Sequence, residues 1–537
     1  MVLHDAPSLI PFPSSVRLGE GSVPLGSVRV DGDPEAAAVL RAELGAVLGA
    51  DAVQDSGGTQ ISLEIDPARG SAEGYALDAD DDVIRVTGYD AAGLFYGTRT
   101  LLQLLRRDER AGDGDVAAED AGWSVPEIHI EDAPRFRYRG VMLDVARHFF
   151  SVADVERWID RAASLKYNHL HLHLTDDQGW RLEITSWPLL AERGGASEVG
   201  GGAGGFYTQH QYSEIVAYAA ARHIIMVPEI DLPGHTHAVG VAYPELVAPP
   251  SLSDKTIAES AAWSQPLPVH GEPYTGWAVG HSSVRIHDES TYAFITDVLT
   301  EVAALTPGPY LHIGGDECLG TSSEDFALFF ERVSRIAAAT GKTPIAWHEA
   351  GAVDDLAEGM LGQYWAGAVP EGAHGEHAAH FAQRGGALIL SPSDRAYLDM
   401  KPHAGFPLGL TWAGVVPLRT AYDWEPTAVI DDVSADAILG VEAPLWTETV
   451  SSLADADRLA FPRIAAQAEI GWSAQNGPER SWPSFRARVA QLIPVWESSG
   501  IAVDRTALDD ENTPEPDGEN IPQPATVASA PSFEENA

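Results

Sequence analysis

The chain has 537 residues, of which 45% are apolar and 14 are tryptophan. This is more than one ordinary domain contains, and it predicts two or three domains with sizeable cores. Lysine and arginine number 34 against 79 aspartates and glutamates, and the resulting net charge of −45 argues against nucleic acid or anionic membranes as partners. A solvated acidic surface explains the same charge without any partner.

The cysteine content and the N-terminus limit the chemistry and the compartment. A single cysteine, Cys318, excludes an internal disulfide and a thiolate metal site. The N-terminus has no basic segment followed by an apolar core, and no stretch approaches the ~18 apolar residues of a membrane span. We therefore expect a soluble, cytoplasmic protein. A secreted protein whose export signal had been removed would have the same N-terminus.

Residues 1–133 have the pattern of a small α/β domain. Strand-like runs (ISLEI, YALDA, VIRVTG) alternate with helical runs (EAAAVLRAELGAVLG, AAGLFYGTRTLLQLLRR), and the Asp- and Gly-rich segment AGDGDVAAEDAG follows them. At the other end of the chain, residues 506–537 are acidic, rich in proline and poor in large apolar groups. That composition predicts a disordered tail.

Residues 134–505 differ from both ends, because eight short apolar runs are separated mostly by helical patterns. Ser151 to Asp154, for example, have the sequence of a capping box before an amphipathic helix. Eight alternations of strand and helix predict a (β/α)8 TIM barrel, and a doubly wound open sheet is the alternative. The runs are GVMLDV, HLHLHLT, IIMVPEI, YLHIGG, PIAWHE, LGQYWA, ALILSP and ILGVEA.

Polar and aromatic side chains stand at the C-terminal end of nearly every run. In a barrel all eight of these ends open onto one face, where the loops build the site. The pattern therefore favours the barrel and predicts one crowded, acidic pocket lined by aromatic rings. The residues are Asp144, Arg147, His148, Asp176, Asp177, Glu229, Asp231, His235, Asp316, Glu317, Trp347, His348, Glu349, Tyr364, Trp365, Tyr397, Asp399, Trp446 and Glu448.

This combination of acids and aromatic rings indicates carbohydrate chemistry. Carboxylates accept hydrogen bonds from hydroxyls, and aromatic rings cover the C–H face of a pyranose. The run LHIGGDEC ends in Asp316 and Glu317, which can converge only where the strand has ended and the chain turns. Two close carboxylates divide into one that holds a proton and one that stays charged, as glycoside cleavage requires.

A metal-dependent hydrolase is the competing interpretation. His171 and His173 lie on one face of a predicted strand, as in barrel metallohydrolases. Against this, the pair lies in the second run rather than the first, and no lysine ends a later run to bridge two metals. We therefore expect neither metal nor other cofactor, with both histidines hydrogen-bonded inside the barrel. Further ligands could otherwise come from His235, His237, Asp316 and His348.

Six segments stand in one order along the chain: GLFYGTRTLLQLL, RGVMLDVARHFF, HLHLTDDQGW, VPEIDLPGHTH, HIGGDE and Trp446-Thr447-Glu448. Together they resemble glycoside hydrolase family 20, the β-N-acetylhexosaminidases. The resemblance spans roughly residues 8 to 475. It implies the family's small α/β domain within residues 1–133, followed by a catalytic barrel.

The resemblance also implies an exo-acting, retaining reaction in which the substrate's own 2-acetamido oxygen is the nucleophile and an oxazolinium ion is the intermediate. Glu317 then protonates the glycosidic oxygen and later activates water. Asp316 orients the acetamido N–H and stabilises the developing positive charge. Tyr397 hydrogen-bonds the acetamido oxygen, so that the nucleophile is held from both ends.

Substrate-binding residues follow from the same resemblance. The residues implied to enclose the acetamido methyl and the sugar face are Trp347, Trp365 and Trp446, with Trp412 as a further candidate. The residues implied to bind the distal hydroxyls are Arg139, Asp399 and Glu448. Asp176 and His235 would set the protonation of Glu317, and the adjacent Asp177 is the alternative to Asp176.

The implied substrate carries a terminal GlcNAc or GalNAc, on a chitooligosaccharide or a glycoconjugate. The residues leave the choice between the two sugars and the oligomeric state open, together with the conformations of loops 239–285 and 400–436. A carbohydrate-binding protein that kept the fold and lost activity is a further alternative. The sequence argues against it, because no matched catalytic position is substituted.

Overall fold

The computed structural model of the protein describes residues 7–107 and 122–509, and the chain divides into two compact units. The first unit consists of Met1–Arg137, Ala163–Lys166 and Ala468–Val495. The second consists of Tyr138–Ala162, Tyr167–Gln467 and Trp496–Ala537. The predicted domain limits at residues 133/134 and 505/506 stay predictions. Almost all of AGDGDVAAEDAG, and residues 510–537 of the predicted tail, lie outside the described residues.

The first unit contains a mixed sheet in the order β1-β7-β4-β5-β3-β2, with β6 paired to β7. β2, β3 and β5 run parallel, and the other pairs are antiparallel. Helices α1 (Pro34–Leu48) and α2 (Ala91–Leu104) contact the sheet, each capped by an aspartate, Asp33 and Asp90. The strands are β1 (Ser15–Pro24), β2 (Val28–Gly32), β3 (Thr59–Ile65), β4 (Tyr75–Asp80), β5 (Val83–Gly88), β6 (Arg106–Arg107) and β7 (Trp123–Asp132).

Four strands of this sheet, β1, β2, β6 and β7, were not predicted from the sequence. β1 is exposed along most of its length, so it lacks the apolar alternation of a half-buried strand. β7 contains Pro126, and proline inside an apolar run argues against a strand. β3, β4, β5, α1 and α2 were predicted and are present.

The second unit contains a closed parallel barrel whose eight strands coincide with the eight predicted runs. The pairing of the last barrel strand with the first, Glu442 opposite Gly140, excludes the open sheet. The prediction of a TIM barrel is confirmed. The strands are β8 (Tyr138–Asp144), β9 (His169–His173), β12 (Ile225–Glu229), β13 (Tyr310–His312), β14 (Thr343–Trp347), β15 (Leu361–Tyr364), β16 (Leu388–Leu390) and β17 (Ile438–Ala443). A two-stranded ribbon, β10 (Thr175–Asp176) and β11 (Gly179–Trp180), follows β9.

Helices alternate with these strands, and one of them begins at the cap predicted at Ser151. Ser151 Oγ accepts from the N–H of Asp154, and Ser322 Oγ accepts from the N–H of Asp325. None of the helices in the described residues is long and apolar enough to cross a membrane. The α-helices after α2 are α3 (Val152–Ser164), α4 (Gln209–Ala220), α5 (His237–Ala242), α6 (Asp254–Ala262), α7 (Glu289–Leu305), α8 (Ser323–Ala339), α9 (His374–Gln383), α10 (Leu418–Tyr422), α11 (Leu453–Ala460), α12 (Arg463–Trp472) and α13 (Trp482–Ser498). The second half of α12 and most of α13 belong to the first unit.

The barrel interior is apolar at one level and polar nearer the C-terminal strand ends. One apolar cluster consists of Tyr138, Val227, Ile345, Leu361, Ile389 and Leu439. Along the axis from Tyr138, the buried polar side chains are Glu442, His171, Glu229 and His173, and the last two lie opposite each other at the ends of β12 and β9. The polar end of the core therefore leads to the face where barrel enzymes carry their sites.

Candidate active site

The chain turns sharply after β13, and this turn releases two adjacent acids from strand geometry. Gly314 and Gly315 have φ of +68° and +111°, and Glu317 has φ of +47°. A Cβ on Gly314 would lie 1.7 Å from Oδ1 of Asp231, so only glycine fits. Because the backbone is no longer extended, Asp316 and Glu317 do not point to opposite faces. The left-handed backbone of Glu317 costs on the order of 1 kcal/mol, a strain that is common at functional sites.

His235 lies beside both acids. Its Nε2 is 3.8 Å from Oδ2 of Asp316 and 3.8 Å from Oε2 of Glu317, and its Nδ1 is 3.2 Å from Oδ1 of Asp176. Burial alone would lower the pKa of His235, but the carboxylates of Asp176, Asp231 and Asp316 raise it well above the usual value. A buried imidazolium therefore stands next to the two acids.

Of the two adjacent aspartates after β9, Asp176 is the one that contacts His235. Its Oδ2 accepts from Nε2 of His173 at 2.8 Å and from Arg147 at 2.8 Å. Burial would raise the pKa of Asp176, but Arg147 and His235 hold it well below its usual value. Asp177 instead accepts from the N–H of His237 at 2.9 Å.

Arg139 is not near these groups. It is the second residue of β8, so it lies about 16 Å along the strand from Asp144, the C-terminal end. Tyr138 and Gly140 face Glu442 inside the barrel, and the alternation of a strand therefore turns Arg139 outward. This geometry argues against the expectation that Arg139 binds the sugar.

Arg147, in the loop after β8, lies among acids of the C-terminal face. Its guanidinium bonds Asp144 and Asp176 and lies 4.8 Å from the ring centre of Trp446. Burial would lower its pKa, but Asp176, Asp144 and Glu448 raise it well above the usual value. Arg147 stands three residues after Asp144 at a strand end, and that position was the available sequence signal.

Five aromatic side chains form a connected wall beside the acids. The ring-centre distances are 6.0 Å for Trp347–Trp446, 6.4 Å for Trp446–Tyr397, 5.7 Å for Tyr397–Trp412 and 5.8 Å for Trp412–Trp365. Trp347 is fully buried, whereas Trp412 is 43% exposed. The wall therefore runs from the barrel interior to the surface, and all four predicted tryptophans belong to it.

Tyr397, Asp399 and Glu448 lie on the same side of the site. Burial, with the nearby charges of Asp399 and Asp316, raises the pKa of the Tyr397 hydroxyl well above its usual value, so it stays a hydrogen-bond donor. Burial and Glu448 raise the pKa of Asp399 well above its usual value. Burial also raises the pKa of Glu448, although Arg147 opposes the shift.

The two barrel histidines are engaged by carboxylates rather than available to a metal. His171 donates to Glu442 at 2.9 Å and to Glu229 at 3.0 Å, and His173 donates to Glu229 and Asp176. Triads such as His171, Glu229 and His312 bring ligand atoms within 4.8 Å of one another. Both His171 and His173 already donate charge-assisted hydrogen bonds to Glu229, so the geometry around this histidine pair does not favour a metal hydrolase.

Stability is expected to depend on pH through these histidines. Burial would lower the pKa of His171, but Glu442 and Glu229 raise it to about 9. The pKa of a histidine in the unfolded chain is about 6.5, and the difference from the folded value corresponds to about 3 kcal/mol of stability. This contribution is complete below pH 6.5 and is lost as the pH rises through about 9. Urea unfolding at pH 6 and pH 9 tests this. If the free energy of unfolding is not lower at pH 9 than at pH 6, the prediction is contradicted.

Two loop segments are tied to the site face. Gln178 donates to the carbonyl of Gly276 at 2.8 Å, and His237 lies 2.7 Å from the carbonyl of Glu272. Both bonds join the 239–285 loop to residues within two positions of Asp176 and His235. In the 400–436 loop, Trp412 contacts Tyr397 and Trp365. Both loops therefore border the site.

The sequence predicted no role for two carboxylates of this site, the buried Glu229 and the partly buried Glu349. Glu229 accepts from Nε1 of Trp347 at 2.9 Å. Glu349 accepts from Nε1 of Trp365 with both oxygens, at 3.0 and 3.1 Å. Both acids end predicted strands, but only the fold reveals that each one holds a tryptophan of the wall.

Two family models match the chain. The model of the glycosyl hydrolase family 20 catalytic domain matches residues 136–325 and 319–475, and that of family 20 domain 2 matches residues 6–133. A beta-N-acetylhexosaminidase of Cellulomonas fimi is 41% identical over 434 residues, which is 80% of this chain and 79% of the relative.

Solved structures are similar over almost the whole chain. A family 20 beta-N-acetylglucosaminidase matches with a TM-score of 0.84 and 51% identity, over 93% of this chain and 98% of that one. A mutant Streptomyces plicatus beta-hexosaminidase in complex with its product GlcNAc matches with a TM-score of 0.82 and 42% identity, over 93% and 97%. The chain therefore belongs to glycosyl hydrolase family 20 and is a glycosidase.

Proposed function

We propose that the chain is an exo-acting, retaining β-N-acetylhexosaminidase that releases terminal non-reducing N-acetyl-D-hexosamine by substrate-assisted catalysis. The observation that carries this proposal is the turn after β13. It presents Asp316 and Glu317 together, with the cationic His235 3.8 Å from each carboxylate. The aromatic wall beside them suits the methyl group and the C–H face of an acetamido sugar.

In the first step, Glu317 in its acid form protonates the glycosidic oxygen, and the bond from that oxygen to the anomeric carbon breaks. The acetamido oxygen closes onto the anomeric carbon, and the aglycone leaves as an alcohol. Asp316 accepts a hydrogen bond from the acetamido N–H and stabilises the positive charge of the oxazolinium ion. Tyr397 donates to the acetamido oxygen and aligns it for attack.

In the second step, Glu317 as a carboxylate removes a proton from water, and the water oxygen attacks the anomeric carbon. The oxazolinium ring opens, and the acetamido group is restored. Two inversions at one carbon leave the configuration unchanged. Glu317 ends the cycle protonated, as it began.

Arg147 is proposed in place of Arg139 as the cation that binds the distal hydroxyls. It lies among Asp176, Glu448 and the ring of Trp446, whereas Arg139 is near the opposite end of β8. Asp399 and Glu448 are proposed as acceptors for the same hydroxyls. Asp176 and His235 keep a positive charge beside Glu317, which favours its return to the carboxylate after protonation of the aglycone.

The substrate is proposed to be a chitooligosaccharide or glycoconjugate with terminal GlcNAc or GalNAc. A similar structure contains GlcNAc as its product, and the related enzyme of Cellulomonas fimi is a beta-N-acetylhexosaminidase. The net charge of −45 also favours a neutral ligand over a polyanion.

The test compares initial rates on an aryl N-acetyl-β-glucosaminide and on the matching aryl β-glucoside, with and without a chelator. We expect only the acetamido sugar to be cleaved quickly, because the glucoside lacks the nucleophile. The chelator should leave the rate unchanged.

Comparable rates on the two sugars would contradict catalysis by the acetamido group. Loss of activity on chelation would support metal-dependent hydrolysis at His171 and His173. Binding without turnover of either sugar would support a carbohydrate-binding protein that has lost activity.

A further inference from the structure

Glu229 is a buried carboxylate at the end of β12 that the proposed mechanism does not use. It is fully buried, and three side chains donate to it. Its Oε2 accepts from Nε2 of His171 at 3.0 Å and from Nδ1 of His173. Its Oε1 accepts from Nε1 of Trp347 at 2.9 Å and lies 2.9 Å from Nδ1 of His312.

A series of hydrogen bonds leads from Glu229 to His235, whose ring lies beside the catalytic pair. His173 donates to Asp176 at 2.8 Å, and Asp176 lies 3.2 Å from Nδ1 of His235. The other ring nitrogen of His235 is 3.8 Å from a carboxylate oxygen of both Asp316 and Glu317. The side chains of His173, Asp176 and His235 thus lie between Glu229 and Glu317.

We propose that Glu229 is a positioning residue whose negative charge keeps His173 with both ring N–H groups donating to carboxylates, and that this arrangement sets the electrostatic environment of Glu317. The inference deepens the proposed function and rests on it. Glu229 touches neither substrate nor reacting atoms in that mechanism and acts through His173, Asp176 and His235.

The charged neighbours support this assignment from each element packed around His173. Glu229 on β12, Asp176 on β10 and Asp144 on β8 all favour its cationic form. Burial opposes that form, yet the pKa of His173 is raised well above its usual value. In turn His312, His173 and His171 hold the pKa of Glu229 well below its usual value despite its burial.

The neighbours also decide how a glutamine would sit at position 229. The indole N–H of Trp347 can only donate, so the amide oxygen must stay on that side. The amide NH2 then faces His171 and His173, and each must offer a lone pair instead of an N–H. Both imidazoles would become neutral without loss of shape, so Glu229→Gln tests charge rather than packing.

The sign of the effect follows from counting charges. In the wild type, the formal charges of Glu229, Glu442, His171 and His173 sum to zero. In Glu229→Gln, with both imidazoles neutral, the formal charges at the same four positions sum to −1. The surroundings of Glu317 therefore become more negative. Its proton is then held more tightly, and the alkaline limb of kcat/KM moves to higher pH.

The experiment measures pH profiles of kcat and KM for the wild type, Glu229→Gln and Glu442→Gln on an aryl N-acetyl-β-glucosaminide. Glu442→Gln is the matched control, because Glu442 is equally buried and bonds the same His171 but contacts neither His173 nor Trp347. We expect the alkaline limb of Glu229→Gln to move upward by about half to one pH unit, with kcat about tenfold lower. Glu442→Gln should show no upward shift.

An unshifted profile in Glu229→Gln, or the same upward shift in both variants, overturns the inference. If Glu229→Gln does not fold, 15N NMR of histidine-labelled wild-type protein at pH 7.5 decides instead. We expect His173 to carry protons on both nitrogens, and a neutral ring overturns the inference. The wild-type rate on the acetamido sugar is measured first, so that failure of the proposed function is distinguished from failure of this inference.

Discussion

Replacing Glu317 with glutamine is expected to lower the turnover of an unactivated chitooligosaccharide by about 10⁴-fold, the upper range for general acid–base catalysis. Glutamine keeps the size of the side chain but can neither donate a proton to the leaving oxygen nor accept one from water. The left-handed backbone at Glu317 tolerates glutamine as well as glutamate, because the strain lies in φ. The measurement is kcat on the oligosaccharide.

The leaving group separates a chemical role of Glu317 from a structural one. An aryl substrate whose leaving group is an acidic phenol needs little protonation. In Glu317→Gln the first step on this substrate should therefore keep most of its rate, and the attack of water should become rate-limiting. Azide needs no base and should restore turnover on that substrate. Glu324→Gln, at an exposed position on α8, is the control and should keep the wild-type rate. Wild-type turnover of the oligosaccharide by Glu317→Gln would refute the assignment.

Replacing Asp316 with asparagine is expected to lower kcat by about 10²- to 10³-fold, a typical loss when one charge-stabilising group is removed. Asparagine retains the shape but removes the negative charge that balances the oxazolinium ion. It also removes one of the carboxylates that raise the pKa of His235. The acetamido group then loses orientation and stabilisation together.

The single variant Tyr397→Phe and the double variant Asp316→Asn/Tyr397→Phe test whether Asp316 and Tyr397 act on the same group of the substrate. If Asp316 and Tyr397 hold opposite ends of the acetamido group, their effects on kcat should be less than additive. Asp457→Asn removes another buried carboxylate, which pairs with Arg161. It should lower the stability to urea and leave the kcat of the folded enzyme unchanged. Fully additive effects, or a kcat loss in Asp457→Asn as large as in Asp316→Asn, would contradict the assignment.

The barrel could be predicted from the sequence because its strands are short and buried. Each of the eight runs is apolar, and polar residues stand where each one ends, so periodicity located every strand. β1 and β7 escaped prediction because one is exposed and the other contains Pro126, and tertiary pairing rather than local pattern determines such strands.

The candidate site also contains residues that could be predicted from the sequence and residues that only the structure located. Asp316 and Glu317 could be paired from sequence because two glycines precede them and mark the turn. The sequence alone did not decide whether Arg139 reaches the C-terminal face, because strand parity and the direction of β8 determine this. Arg147 reaches that face from the loop after the same strand.

The sequence by itself therefore determined the barrel, the acid pair and the aromatic character of the pocket, since local periodicity and turn chemistry encode them. The tertiary structure alone decided which of Asp176 and Asp177 meets His235, and that Glu229 joins Trp347 to His173. These contacts link β9, β12 and β14, which are distant in the chain. Only the closure of the barrel brings such side chains to hydrogen-bond distance, and no local pattern records which of them will meet.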